Sequence, residues 1–311
     1  MNSFGTNWTF TSFGESHGLA IGGVLDGVPA GLHIDFDMIR SELDRRAGRP
    51  ISNHQSSIIN NIGVSSRAKN EPDKVEWLSG VMDGVTLGTP IAFIIYNNDA
   101  KPEDYEYLKH TYRVGHADKA YEQKYGIRDW RGGGRASARE TAARVVAGCI
   151  AKQQLSSRGI TIQASLIQVG AETDPTRFAE TIATYQREGD SIGGIVECRV
   201  TGLPVGVGEP IFDKLQAHLA FAVMSINACK GFEYGTGFAG VTKPGSAINH
   251  ISGGIAGGIS DGTDITFRCV FKPTPSTPKA GVKGRHDACV ATRAVPVVEA
   301  MTAIALADLL A

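Results

Sequence analysis

The sequence predicts an α+β protein in which helices and strands are mixed along the chain. Short runs rich in aromatic and β-branched residues, typical of strands, stand beside runs with the 3.6-residue apolar period of helices. No strict strand–helix–strand repeat is visible, and no Gly-x-Gly-x-x-Gly follows the first strand. A doubly wound parallel sheet is therefore not expected. The 311 residues suit one large domain spanning residues 1–311, although the length would also permit two.

The regular elements follow from periodicity and from end signals. Asp35 is expected to cap the first helix, and Pro296 is expected in the first turn of the last one. The last helix is apolar almost all round, which predicts burial. Strands are expected at residues 8–13, 19–26, 75–79, 90–96, 160–169, 195–200 and 265–271. Helices are expected at residues 35–46, from about Ser137 onward, and at 177–187, 212–225 and 296–310.

Four stretches lack a clear pattern and are predicted to be irregular. They are residues 47–73, 97–134, 232–245 and 253–262. Residues 97–134 are dense in charged and aromatic side chains. A long loop of this kind in a compact protein is usually functional, and its aromatics argue against simple disorder.

The composition limits the class of protein. A net charge of -1 argues against a general nucleic-acid binder, so any anion site must be a local cluster. Five cysteines without a Cys-x-x-Cys pattern suggest reduced thiols and a cytoplasmic location. The eight histidines have no metal-ligand spacing, so no metal site is expected. No signal peptide and no apolar run of about twenty residues is present, so no membrane span is expected.

Residues 131–141 read Arg-Gly-Gly-Gly-Arg-Ala-Ser-Ala-Arg-Glu-Thr and form the most distinctive stretch. Ser137 and Glu140 have the spacing of a capping box, so a helix is expected to begin here. Glycines allow close backbone approach, and a helix N-terminus attracts phosphate. The stretch therefore suggests a phosphate-binding helix start. A flexible glycine loop with solvated arginines is an equally good interpretation of these residues alone.

Two histidines, His17 and His116, lie in glycine-flanked loops and could transfer protons near neutral pH. A structural or surface role is favoured for either one taken alone. The pair Ser16 and His17 also invites a hydrolase interpretation. That interpretation is weak, because adjacent residues of a strand point to opposite faces and no Gly-x-Ser-x-Gly is present.

Several of these strings together closely resemble the chorismate synthase family, in one collinear order over nearly the whole chain. They are Phe-Gly-Glu-Ser-His-Gly (13–18), Gly-His-Ala-Asp (115–118), Gly-Gly-Arg-Ala-Ser-Ala-Arg-Glu-Thr (133–141), Ser-Ile-Asn-Ala (225–228), Lys-Pro-Thr (272–274), Arg-His-Asp (285–287) and Arg-Ala-Val-Pro (293–296). The resemblance implies a layered β-α-β sandwich that assembles as a homotetramer. It also implies a 1,4-anti elimination of phosphate from 5-enolpyruvylshikimate 3-phosphate that gives chorismate and requires reduced FMN. No reductase segment is visible, so an external flavin reductant is expected.

The resemblance also assigns roles to residues. It makes His17 the acid near the departing phosphate, His116 the proton donor toward flavin N1, and Asp287 the acceptor of the proton from flavin N5. Arg46, and less directly Arg49, would lie at the mouth for substrate and nucleotide (NADP). The residues implied to contact FMN are Arg135, Ala136, Ser137, Asn227, Ala228, Gly257, Lys272, Pro273, Thr274, Pro275, Ser276 and Arg285.

The chain departs from the family pattern in places. Ala136 stands where the family usually has a second Ser, and Val114 and Ala288 stand where it has Pro. Segments are shorter than usual after Gly170, Ser246 and Thr277, and a longer loop opens after Arg49. Two rival functions therefore stay open. One is a redox flavoprotein such as a flavin reductase, disfavoured by the lack of a nicotinamide-binding fold, and the other is an FMN- or anion-binding module without catalysis.

Overall fold

The computed structural model describes residues 1–49, 63–247, 252–282 and 286–311. The strands in these ranges are β1 (Ser3–Phe4), β2 (Thr9–Phe13), β3 (Ala20–Asp26), β4 (Val75–Ser79), β5 (Val81–Met82), β6 (Val85–Thr86), β7 (Ile91–Tyr96), β8 (Thr161–Val169), β9 (Gly194–Thr201), β10 (Cys229–Tyr234), β11 (Ile255–Ala256), β12 (Ile259–Ser260) and β13 (Ile265–Phe271). The helices are α1 (Phe36–Ala47), α2 (Ser66–Asn70), α3 (Asp118–Tyr125), α4 (Thr141–Ser156), α5 (Phe178–Arg187), α6 (Leu215–Met224) and α7 (Ala291–Leu309).

Two antiparallel sheets enclose a layer of helices. One sheet has the strand order β1-β2-β3-β7-β4, and the other has the order β10-β13-β9-β8. Helices α4 and α7 pack on each other; α4 reaches β2, β3 and β8, and α7 reaches β8 and β9. The layers therefore run sheet, helices, sheet, which confirms the predicted α+β sandwich. No helix in the described ranges is long and apolar enough to cross a membrane.

The helix layer is packed tightly enough to require a small residue. A Cβ atom built on Gly148 of α4 would lie 2.3 Å from the Cα atom of Ala300 in α7. Real Cβ atoms do not approach other atoms so closely, so the absent side chain allows the two helix backbones to meet. Side chains from both sheets and from the helices join one hydrophobic cluster, with α7 almost wholly buried as its composition predicts.

Helix α1 has the end residues that the sequence predicts. The side chain of Asp35 accepts the backbone N–H of Met38 at 2.8 Å, and Gly48 ends the helix with a φ of 70°. Ile39 and Leu43 are buried on its inner face. This helix places Arg45 and Arg46 at its last turn, next to the start of α4.

A buried ionic cluster joins α1, α4 and α7. Arg45 Nη1 lies 2.7 Å from Glu42 Oε2 and 2.9 Å from Glu299 Oε2. Lys152 Nζ lies 2.7 Å from the same oxygen of Glu299, whose Oε1 accepts the backbone N–H of Ala164 at 2.8 Å. Each charge therefore has a partner in the interior, as burial requires.

Three predicted helix starts differ from the observed ones by more than one residue. Ser137 is an N-cap, as predicted, and accepts the N–H of Arg139 at 3.4 Å, but it caps a short 3₁₀ turn over Ala138–Glu140, and α4 itself begins at Thr141. Helix α6 begins at Leu215, three residues after the predicted start at Phe212. The α7 helix begins at Ala291, so Pro296 lies inside it rather than in its first turn. Proline at this place removes one backbone hydrogen bond of the helix, and the buried apolar packing of the helix offsets that loss.

Regular structure also occurs where none was predicted. Residues 97–134 contain a 3₁₀ helix at Pro102–His110 and then α3. Strand β10 overlaps the glycine-rich stretch 232–245 and pairs with β13. Residues 253–262 include a hairpin of β11 and β12. Of the loop predicted at 47–73, residues 50–62 lie outside the described ranges, and α2 occupies part of the rest.

Candidate active site

A cavity of about 520 Å³ lies where the loop after β2, the glycine-rich stretch at residues 131–141, α2 and the ends of β10 and β13 meet. Among the described residues, its cationic side chains are Arg46, Arg67, Arg113, Arg139, Lys230, Lys272 and Arg293, and its carboxylates are Glu71 and Asp287. His17, His116 and His286 also line it. The excess of positive charge favours a ligand with several anionic groups.

His17 lies in the loop between β2 and β3 and is 5% exposed. Arg67 donates from Nη1 to Ser16 Oγ at 2.9 Å and from Nη2 to the Ser16 carbonyl at 2.6 Å. The same Nη1 atom lies 3.4 Å from each ring nitrogen of His17, and the Tyr105 ring meets the imidazole edge-on at 4.8 Å. His17 is thus held firmly at the cavity wall, as a proton-transferring group requires.

His116 lies in the turn before α3, against Gly133 of residues 131–141. Its Nδ1 atom is 2.8 Å from Asp118 Oδ1. Both predicted histidines therefore line one cavity, although they are far apart in the chain.

Three glycines of residues 131–141 make room for these two imidazoles and for the chain around them. Gly132, Gly133 and Gly134 have φ values of 60°, 88° and 51°. A Cβ atom on Gly133 would lie 2.7 Å from His116 Cε1, and one on Gly132 would lie still closer to His17. The close backbone approach that the glycines predict therefore occurs. The groups that lie against this backbone are the side chains of His17 and His116.

Asp287 lies in the cavity wall and is 9% exposed. Its Oδ1 atom accepts the N–H of Ser65 at 2.9 Å, and its Oδ2 atom accepts from Arg293 Nη1 at 2.7 Å. Arg293 also donates from Nε to the carbonyl of Arg46 at 2.9 Å. Asp287 thus presents a carboxyl group, which can accept a proton when it is ionised, in a fixed position at the cavity wall.

Arg46 forms part of the cavity floor and is 1% exposed. It donates from Nε to Thr141 Oγ1 and from Nη2 to the Ala138 carbonyl, each at 2.9 Å. Burial, followed by the nearby charge of Arg293, lowers the pKa of Arg46 to about 9, against the opposing effect of Asp73. Arg46 is therefore still charged at neutral pH, and the bonds to the start of α4 hold it in place.

Asp73 links two arginines of the cavity. It pairs with Arg139, and its Oδ2 atom lies 3.5 Å from Arg46 Nη1. Burial opposes ionisation, but Arg139 and then Arg46 lower the pKa of the Asp73 carboxyl below its ordinary value. The carboxylate thus keeps the two guanidinium groups together despite their mutual repulsion.

The residues predicted for the mouth and for the cofactor do not all line the same cavity. Arg49 is not among the residues lining the 520 Å³ cavity; its Nη1 atom lies 2.5 Å from Asp44 Oδ1. Arg135 donates to the Gly14 carbonyl at 3.1 Å and to Ser12 Oγ at 2.9 Å, and it lines a neighbouring cavity of about 410 Å³. The predicted cofactor residues that line the larger cavity are Ala136, Ser137, Asn227, Ala228, Lys272, Thr274, Pro275 and Ser276.

Two other predicted cofactor residues are placed differently. Pro273 and Gly257 do not line the larger cavity, and Gly257 lies in the turn between β11 and β12. Arg285 lies outside the described residues.

Two polar atoms of the cavity residues are buried and have no protein partner within the described ranges. They are Oδ1 of Asn227 and Oγ of Ser276. Asn227 does donate from Nδ2 to the Ala136 carbonyl at 3.1 Å, which leaves its oxygen turned elsewhere. Buried polar atoms usually find a partner, so these two are suited to hydrogen-bond a bound molecule.

Sequence reasoning missed several lining residues. Arg67, Glu71 and Tyr105 belong to stretches without a pattern, so no local signal could find them. Lys230 lies two residues after the Ser-Ile-Asn-Ala string (225–228), and Arg293 opens the Arg-Ala-Val-Pro string (293–296), so position alone could have suggested both.

The chain is similar in sequence and in structure to known proteins of one family. Residues 8–311 match the family described as chorismate synthase. The chain is 46% identical over 355 residues to the chorismate synthase of Christiangramia forsetii, with 99% of this chain and 96% of that protein covered. It is 45% identical over 360 residues to that of Phocaeicola vulgatus, with 99% and 97% covered. A crystal structure of chorismate synthase superposes with a TM-score of 0.77 at 30% identity, covering 99% of this chain and 92% of that one.

The 355-residue alignment is longer than the 311 residues of this chain, so it contains at least 44 positions without a residue here. That difference agrees with the shorter segments noted in the sequence. The matches nevertheless extend across the whole cavity described above. The chain therefore belongs to the chorismate synthase family and is an enzyme of the lyase class that forms chorismate.

Proposed function

We propose that the larger cavity binds 5-enolpyruvylshikimate 3-phosphate together with reduced FMN and eliminates phosphate from the former. The observation that carries this proposal is the lining itself, to which the described part of the chain contributes seven cationic side chains and two carboxylates. The substrate has a phosphate and two carboxylates, and the flavin has a further phosphate. Ligands with so many negative charges suit a local cationic cluster in a chain whose net charge is only -1.

The residues present fit a flavin. The buried free atoms Asn227 Oδ1 and Ser276 Oγ can hydrogen-bond the polar edge or the ribityl hydroxyls of such a group. Burial, and then the charge of Lys230, lowers the pKa of Lys272, so an anion beside these two lysines would be stabilised. We therefore assign FMN binding to Asn227, Ser276 and Lys272, with the neighbouring backbone of Ala228 and Thr274. When bound, reduced flavin supplies the electron density that assists cleavage of the carbon–oxygen bond to phosphate.

The protein residues then have separate tasks. Arginines of the cavity floor and walls bind and orient the anionic groups. His17, next to Arg67, holds a proton for the departing phosphate, whose negative charge grows as the bond breaks. His116, which lies against Gly133, holds a second proton. Asp287, held by Ser65 and Arg293, accepts a proton and returns the site to its starting state.

Family membership also supports the proposal that the enzyme assembles as a homotetramer, acts in the cytoplasm and receives electrons from an external reductant. Exposed apolar side chains support assembly: Phe212, Phe221 and Phe238 are 89%, 65% and 85% exposed. Sedimentation of the purified protein at several concentrations measures the assembly.

The activity is tested by anaerobic incubation of the protein with reduced FMN and the substrate. Release of chorismate and phosphate in equal amounts supports the proposal. Flavin binding without product would indicate a binding module that has lost catalysis. Oxidation of a nicotinamide by the protein in the absence of substrate would instead favour a flavin reductase.

A further inference from the structure

We propose that Asp118 is a positioning residue that holds His116 as the tautomer protonated at Nδ1, with Nε2 left free for proton transfer. The inference rests on the proposed function only in taking His116 as a proton-transferring group. Asp118 is absent from the roles assigned above, and it acts through the imidazole rather than on a ligand. It is the first residue of α3, two positions after His116.

The carboxylate of Asp118 is buried and hydrogen-bonded on both oxygens. The residue is 4% exposed, and its Oδ1 atom lies 2.8 Å from His116 Nδ1. Arg113 supplies three further contacts: Nε donates to Oδ2 at 2.9 Å, Nη2 donates to Oδ1 at 2.8 Å, and the backbone N–H donates to Oδ2 at 3.0 Å. Both oxygens are therefore saturated with donors, as expected of an ionised carboxylate.

The ionised state of Asp118 decides where the proton of His116 lies. Burial opposes ionisation, but hydrogen bonds from Arg113 and then His116 hold the pKa of the Asp118 carboxyl well below its usual range. A carboxylate has no proton to donate, so a contact of 2.8 Å to Nδ1 requires that Nδ1 carries one.

The opposite tautomer would be unfavourable at this place. An unprotonated Nδ1 could accept from Arg113 Nη2, which lies 3.1 Å away. It would then direct its lone pair at the negatively charged oxygen of Asp118. With Nδ1 protonated, both the imidazole and Arg113 donate to Oδ1, and no like charges or lone pairs face each other.

The ring is also fixed on its other edge. A Cβ atom on Gly133 would lie 2.7 Å from His116 Cε1 and 3.0 Å from Nε2, so the backbone there closes on the ring. Asp118 on one edge and Gly133 on the other leave the imidazole little freedom to flip. His116 thus presents Nε2 in one orientation, as an acceptor when neutral and as a donor when protonated.

The direct test is long-range ¹⁵N–¹H correlation NMR of the full-length protein labelled on histidine, with the His116 signals assigned by their loss in His116→Ala. We expect the chemical shifts of an Nδ1-protonated ring in the wild type and a shift toward the Nε2-protonated form in Asp118→Asn. A wild-type ring protonated at Nε2 overturns the proposal, whatever the variants do. So does an unchanged tautomer in Asp118→Asn.

Anaerobic kinetics of the same variants give the functional readout. Asp118→Asn is expected to lower kcat on the order of 10²-fold with little change in KM, and Asp118→Glu to restore part of that loss. The matched control is Asp213→Asn, because Asp213 contacts His218 Nε2 at 3.1 Å outside the cavity and its side chain is 71% exposed. That variant should keep wild-type turnover.

The outcomes separate this inference from the proposed function. A changed tautomer with reduced kcat in Asp118→Asn supports both. A changed tautomer with full turnover in both Asp118→Asn and His116→Ala supports the positioning by Asp118 and overturns the proton-transfer role of His116. Equal loss of kcat in Asp118→Asn and Asp118→Glu, with the tautomer unchanged, overturns the positioning role.

Discussion

Gly132 lies directly against the imidazole of His17: a Cβ atom built on it would be 2.1 Å from His17 Cε1 and 2.2 Å from Nδ1. No side chain fits in that space, and a φ of 60° also favours glycine here. The packing of His17, which the family resemblance assigns to catalysis, therefore explains why position 132 is a glycine. Contacts of this kind, in the site and in the core, can be tested one residue at a time.

Replacing Gly132 by Ala should displace His17 and lower kcat by about 10²–10⁴-fold, the usual contribution of a positioned acid–base group. The unfavourable φ adds a loss of stability of about 1–2 kcal/mol. Gly159→Ala is the matched control, because Gly159 has a φ of 77° and nothing within 4 Å of a Cβ atom. Turnover and thermal unfolding are measured for both; similar turnover in the two variants would contradict the role of Gly132.

Replacing Asp287 by Asn should leave flavin and substrate binding nearly unchanged while turnover falls by about 10²–10⁴-fold. The amide has almost the same shape and can still accept from Ser65 or Arg293, but it cannot take up the proton. Anaerobic steady-state kinetics and flavin titration of one preparation check this. Wild-type turnover would remove the base role, and loss of flavin binding would make Asp287 a structural residue.

Replacing Glu299 by Gln should destabilise the protein by about 3–5 kcal/mol, because the buried cations Arg45 and Lys152 would be left with a single carboxylate, Glu42, between them. Urea unfolding at pH 7 measures the change in the free energy of unfolding. Glu188→Gln is the control: Glu188 pairs with Lys279 at 3.5 Å, with both side chains more than half exposed. Its loss should change stability by less than about 0.5 kcal/mol.

The same carboxylate predicts a pH dependence. Burial opposes ionisation of Glu299, but Lys152 and then Arg45 lower its pKa from 4.5 to about 2. A lowered pKa in the folded state stabilises the protein above pH 4.5, and this contribution of about 3 kcal/mol is lost as the pH falls from 4.5 toward 2. The free energy of unfolding of Glu299→Gln should therefore fall less steeply than that of the wild type over this window. Parallel slopes in urea titrations would refute the assignment.

The N-terminal segment is tied to the last helix by one side chain. Asp308 Oδ1 accepts the backbone N–H groups of Thr6, Asn7 and Trp8 at 2.8, 2.7 and 3.0 Å. Asp308→Ala leaves these donors without their charged acceptor and should cost about 3 kcal/mol. Limited proteolysis should then cut before β2 in the variant and not in the wild type, and thermal unfolding should shift down. Unchanged cleavage would show that other contacts hold the segment.

Much of the architecture follows from local sequence. The caps of α1, the apolar period of α4 and the alternating strands of both sheets all lie within a few residues of their predicted places. Such elements depend on contacts between near neighbours in the chain, so the local sequence pattern predicts them without knowledge of the fold. The long recognised strings likewise identify the family, and they contain His17, His116 and Asp287, which line one cavity.

Local sequence failed where short-range patterns are weak. The 3₁₀ helix at Pro102–His110 and the short α2 and α3 helices span too few turns to show a period. Strand β10 contains glycine and follows a bend, so its pairing with β13 stabilises it more than its own composition does.

The sequence by itself determined the family, the main helices and strands, and the chemical identity of the residues proposed to transfer protons. Only the tertiary structure decided what each of those residues touches. Arg67 reaches His17 across 50 positions of sequence, and Asp287 meets Ser65 across 222. Contacts between such distant positions depend on how the layers pack, because burial of the shared core brings together segments whose local patterns contain no information about each other.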